Sequence, residues 1–153
     1  MEFVLFLIGG GVYTWIEILW RGYTHWTMFL LGGICFVIMG LLNEHIFPWR
    51  LSLMMQSVIS GCVITVFEFV AGCIVNLWLG WNVWDYSALP FNLLGQICLY
   101  FFLLWIPLSM AGIVLDDWIR YWRYIFLKKW YPWKPTEVRE RPHYTLFSIC
   151  DAA

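Results

Sequence analysis

Glu68 lies near the middle of a long apolar run, and a carboxyl group placed there calls for a partner. A charged side chain at the centre of a bilayer costs at least about 2.5–3.5 kcal/mol and faces protein or a water-filled cavity. Each residue of an α-helix advances about 100° around its axis. On that projection Ser57, Gly61, Thr65, Glu68, Gly72 and Asn76 fall within a sector of roughly 100°, while Val, Ile, Phe, Cys and Leu occupy the other faces. Small residues let helices approach closely and polar ones bond across the contact. Two roles are open to Glu68: a group that meets a ligand, or a protonated structural carboxyl bonded to a neighbouring helix.

Other polar groups project toward the same interior. In the first apolar run, Gly10, Tyr13, Thr14, Glu17 and Arg21 share a side. Glu17 and Arg21, four residues apart, can pair along a helix. They either end that helix at the interface or leave Arg21 to hold an anionic group at the outer mouth. In the fourth run Asn92, Gln96 and Pro107 project together, with Tyr100 nearby, and Pro107 is expected to kink the helix. The candidate substrate- or ion-binding residues are Glu17, Arg21, Glu68, Asp85, Asn92 and Gln96. H-E-x-x-H, G-x-S-x-G and C-x-x-C are absent, and His25, His45 and His143 are scattered, so neither a catalytic set, a metal nor a cofactor is expected.

The elements that carry these residues follow from composition. The chain is 62% apolar and 12% charged, against about 45–50% and about 25% for a soluble domain. A spanning helix needs roughly 20 residues, and four runs qualify: about Phe3–Leu19, Met28–Phe47, Leu53–Leu79 and Leu93–Leu115. The expected fold is an all-α membrane protein of four transmembrane helices plus a C-terminal interfacial amphipathic helix. Residues 1–115 form the transmembrane domain, 116–131 a basic aromatic interfacial helix and 132–153 an irregular cytoplasmic tail. The first two connections are short, which makes neighbouring helices antiparallel. In the second run Gly33 and Gly40 share a face and permit close packing, and Glu44 stands at its end. The N-terminus lacks a basic n-region and a small-residue cleavage pattern, so the first run reads as a retained helix.

Basic residues set the orientation. Arg50 and seven tail residues lie on one side and Arg21 on the other, so both termini are expected in the cytoplasm of a cell-membrane protein. Trp118, Tyr121, Trp122, Ile125 and Phe126 recur at helical spacing beside Arg120, Arg123, Lys128 and Lys129, which suits a helix lying among lipid head groups. Pro132, Pro135 and Pro142 end it. The net charge of −1 gives no field for nucleic acid, and Cys35, Cys62, Cys73, Cys98 and Cys150 read as free thiols.

The third connection reads GWNVWDYSALPFN. Asp85 and Ser87 can build a tight turn, and Asn92 is a candidate N-cap for the fourth helix. The segment is either an ordered interfacial loop or a lid, with Asp85 facing Arg21. Trp84-Asp85-Tyr86-Ser87, then Pro90-Phe91-Asn92, Gly95, Cys98-Leu99 and Leu104-Trp105 resemble the hallmark of the putative ABC-transporter type IV family of small, mostly bacterial membrane proteins. The resemblance covers about residues 1–125. Glu68, Glu17 and Arg21 are similar to the family's membrane glutamate and its first-helix acidic and basic positions. The second span departs from the family in lacking a proline at Gly32–Phe36.

The resemblance implies transport. No G-x-x-x-x-G-K-[ST] occurs, so the ATPase of such a system is a separate chain. Four spans are few for a complete permease, which implies a homo-oligomer in the bilayer. The alternatives are an intramembrane enzyme acting on a lipid or lipid-linked substrate, and a non-catalytic scaffold or sensor docking a partner on the tail.

Overall fold

The computed structural model describes residues 1–46, 51–131, 133 and 138–147. Phe47, Arg50, Pro132, Lys134, Pro135 and Cys150 lie outside the described residues. The helices are α1 (Glu2–Arg21), α2 (Trp26–Leu41), α3 (Leu53–Gly72) and α4 (Leu99–Trp130). π-helical turns extend α2 through Leu42–Ile46 and α3 through Cys73–Trp78. Each of the four is long and apolar enough to cross a membrane. The protein is therefore an all-α, multi-pass membrane protein. Its outward faces carry Phe3, Trp15, Leu19, Val66 and Trp78, all exposed, as a surface bathed in acyl chains requires.

Local chemistry sets the helix ends. Gly22 takes the left-handed conformation at φ 79° and returns its N–H to Ile18, closing α1. His25 Nδ1 accepts from Thr27 N at the start of α2, and Ser52 Oγ accepts from Met55 N at the start of α3.

The bundle is two helix pairs. α1 packs along α2, α3 along α4, and α2 bridges the pairs. Glycines make the first seam: a Cβ on Gly9 would lie 2.3 Å from Phe36 Cβ, and one on Gly33 2.6 Å from the Phe6 ring. Gly40 leaves room for Asp116, whose carboxyl oxygen would lie 2.7 Å from an added Cβ. The expected glycine face of α2 is thus a contact surface, and its partner at one end is a carboxylate.

α4 begins six residues later than its apolar run. Leu94 and Gly95 have φ of 52° and 69°, and Asn92–Leu93 pairs antiparallel with Ile97–Cys98 as strands β1 and β2. Asn92 is therefore not the N-cap of α4; Cys98 occupies that position. Asn92 and Gln96 precede the helix and do not project from it with Pro107. Beyond Pro107, α4 continues without interruption to Trp130, so residues 116–130 extend it. Trp118, Tyr121 and Trp122 do share a face, with ring centroids 5.8–6.4 Å apart.

The glycine seam is testable. Gly9→Leu should lower stability by about 1–3 kcal/mol through overpacking, read as an earlier thermal transition in detergent. Gly11→Leu, which meets nothing within 4 Å, should leave the transition in place.

Candidate functional site

The face of α3 on which the polar stripe falls is turned inward. Ser57, Gly61, Glu68, Gly72 and Asn76 are buried and Thr65 is half-buried. Two hydroxyls on it bond within their own helix: Ser57 donates to Leu53 O at 2.7 Å and Thr65 to Gly61 O at 2.8 Å. Glu68, 1% exposed, reaches across the bundle. Tyr86 Oη donates to its Oε1 at 2.9 Å, and Trp105 Nε1 donates to its Oε2 at 2.8 Å. Each carboxyl oxygen therefore has one donor, from a different element. Tyr86 stacks on Phe101 at 4.4 Å, and Trp105 lies 5.9 Å from the Tyr13 ring of α1.

A second network closes one end of the bundle. Asn76 Nδ2 donates to Gln96 Oε1 at 2.8 Å and to Trp84 O at 3.0 Å. Asn76 Oδ1 accepts from Val83 N at 2.7 Å. Arg21 Nη1 donates to Val83 O at 2.9 Å, and its Nη2 lies 2.7 Å from Glu17 Oε1 in an ionic contact poorly aligned for a hydrogen bond. Thr24 donates to the other Glu17 oxygen at 2.5 Å. Glu17, Arg21, Asn76 and Gln96 thus form one line of contacts through Val83. Asn76 is eight residues beyond Glu68, about 12 Å along a helix, so the two networks are neighbours and not a single cluster.

Asp85 stands apart. It is exposed and accepts from Ser87 N at 2.8 Å and Ser87 Oγ at 2.9 Å. The Asp85–Arg21 pairing expected of a lid is absent among the described residues, because Asp85 is spent on its own turn and Arg21 on Val83 and Glu17. Asn92 likewise serves the loop, donating to Leu89 O at 2.7 Å and accepting from Gly95 N at 3.1 Å. Gly95 is needed twice: it has positive φ, and an added Cβ would lie 2.7 Å from Asp85 Oδ1. Tyr86, between these turn residues, is thereby aimed at Glu68. Burial first, and then the Glu68 charge, push its phenol well above the ordinary range.

The sequence reading missed a third cluster. Asp116 and Asp117 are 0% and 1% exposed, turned into the bundle. With Glu44 they bring three carboxylate oxygens within 4.8 Å of one another, so among the described residues these could hold a cation. Asp116 accepts from Arg120 Nε at 2.7 Å, and Arg120 also bonds Glu2, tying α1 to α4. Asp117 accepts from Asn43 at 2.7 Å and from Tyr144 at 3.1 Å, while Arg139 pairs with Glu44. Burial and then the Asp117 charge raise the Tyr144 phenol. The Asp116–Arg120 spacing of four was the available sequence signal.

The chain belongs to the family described as Putative ABC-transporter type IV, which matches residues 4–133. No curated protein and no solved structure matches it. Within this family member, the WDYS segment has a physical reading: Asp85 and Ser87 fold the turn that delivers Tyr86 to Glu68.

Two measurements test this geometry. Trp105→Phe strands a buried carboxyl oxygen and should cost about 1–3 kcal/mol, whereas Trp78→Phe at an exposed position should stay within about 0.5 kcal/mol; thermal unfolding in detergent compares them. The Ser87 N–H first, then its hydroxyl, hold the Asp85 carboxyl below its ordinary pKa. A depressed carboxyl stabilises its turn above the unfolded value, about 3.9, and loses that effect as pH falls through the folded value. The hydrogen-exchange protection factor of the Ser87 amide should therefore drop only below about pH 4.

Proposed function

We propose that this chain is the membrane-embedded subunit of a transport system, with substrate or coupling ion meeting the polar interior at Glu68. One observation carries the reading: a buried carboxyl, in a four-span member of an ABC-transporter-type family, lines a cavity of about 130 Å³. Intramembrane carboxyls of this kind mark substrate and ion pathways. The Glu17–Arg21–Val83–Asn76–Gln96 line then forms the outer end of the pathway. Asp85 and Asn92 contribute by shaping the loop and do not meet the substrate. The basic residues of the connections and tail put both termini in the cytoplasm of a cell-membrane protein, and residues 116–131 among lipid head groups. With no nucleotide motif in the chain, energy comes from a separate ATPase subunit. Four spans make self-association part of the same reading.

Gentle purification from native membranes tests it. An ATP-hydrolysing chain should copurify with wild type and with Glu68→Gln alike, and the variant should lower its ATPase activity at least about tenfold, the size expected when a buried charged hydrogen bond is lost. Unchanged activity would remove Glu68 from the cycle. The absence of any ATP-hydrolysing partner would overturn the transport reading.

A further inference from the structure

The cavity beside Glu68 opens sideways. Because α1 packs along α2 and α3 along α4, the two pairs leave a cleft between α1 and α4. Tyr13 and Trp105 line it, their rings 5.9 Å apart. Val12 near mid-span, and Ala111 and Leu115 further toward the end of α4's span, form an exposed rim that acyl chains surround. The walls are apolar apart from Glu68, Ser109, the Cys35 thiol and the Tyr13 hydroxyl, and no basic side chain is among the described residues that line it.

Ser109 is the informative member. It is 0% exposed, and its hydroxyl has no hydrogen-bond partner among the described residues. A serine within a helix can donate back to the carbonyl four residues earlier, as Ser57 does to Leu53. Ser109 does not. A buried hydroxyl left unpaired is unfavourable, a loss that a ligand oxygen in the cleft would recover. Glu68 accepts one bond at each oxygen and keeps lone pairs for a further donor.

We propose that this cleft binds a neutral, single-chain amphiphile drawn from the bilayer, its hydrocarbon chain along the apolar walls and its hydroxyl or carbonyl oxygen at Ser109. The volume of about 130 Å³ is close to that of apolar cavities, about 150 Å³, that stay dry and bind one benzene, so it admits one chain and not two. An anionic head group would meet a carboxyl and no basic partner. The inference rests on reading the Glu68 interior as a ligand site and names the class of ligand.

Photolabelling of the full chain in lipid nanodiscs tests it, with a hexadecanol probe carrying a mid-chain diazirine and a terminal alkyne. Adducts should concentrate on Val12, Ala111 and Leu115 and be displaced by unlabelled hexadecanol. Ala111→Trp at the rim should cut them at least fivefold, and Ser109→Ala at least threefold without lowering the thermal transition. Adducts spread evenly over lipid-facing positions such as Val66, and indifferent to both substitutions, would overturn the proposal. So would equal labelling by the matching palmitate probe. The readout is occupancy and not turnover: the absence of an ATP-hydrolysing partner defeats the transport reading, and unaltered ATPase activity in Glu68→Gln removes Glu68 from the cycle, while the labelling pattern still decides the cleft.

Discussion

Two hydrogen bonds at the Glu68 carboxyl join three parts of the chain, α3, α4 and the loop between them, at one point. The donors are Trp105 of α4 and Tyr86 of the loop before it. A charged group at mid-span costs at least about 2.5–3.5 kcal/mol. A hydrogen bond to a charged group contributes about 1.5–3 kcal/mol, so two of them offset a cost of the lower size. Losing either donor tips the balance, which makes this carboxyl a lock on the register of α3, α4 and the loop as much as a polar site.

The loop earns its turn-rich composition from that lock. Asp85, Ser87, Asn92 and Gly95 satisfy one another and the backbone, which leaves Tyr86 free to point inward. Trp84 and Gln96 then join Asn76 at the end of α3. At the opposite end Arg120 clasps Glu2 and Asp116. α1 is thus held to the rest of the bundle at its two ends, while its middle packs on α2 through glycines. That arrangement leaves a cleft between α1 and α4 at mid-span, beside the carboxyl.

Much of this was legible in the residue order. Four apolar lengths gave the spans, the spacing of Ser57 to Asn76 gave the buried face, and Glu17–Arg21 and Asp85–Ser87 declared their contacts by separation alone. The start of α4 was hidden because Leu93 and Leu94 extend its apolar run, while hydropathy carries no sign of a positive φ at Leu94. The partners of Glu68 were hidden among 12 tryptophans and 8 tyrosines, any of which could have been interfacial. Asp116 and Asp117 looked like head-group residues because they border a basic aromatic segment; Asp116 packs against Gly40, 76 positions away, and Asp117 bonds Asn43 and Tyr144. Ser109 gave no signal, since an unpaired hydroxyl is a property of the packed structure only.

The indole N–H of Trp105, observed in a ¹⁵N–¹H spectrum of the protein in micelles, tests the central contact most directly. A donor held by a buried carboxyl should resist deuterium exchange and shift strongly on Glu68→Gln, while the exposed Trp78 indole does neither. A Trp105 resonance that exchanges as freely as that of Trp78, and ignores the change at position 68, would contradict the inward-turned carboxyl on which the bundle is built.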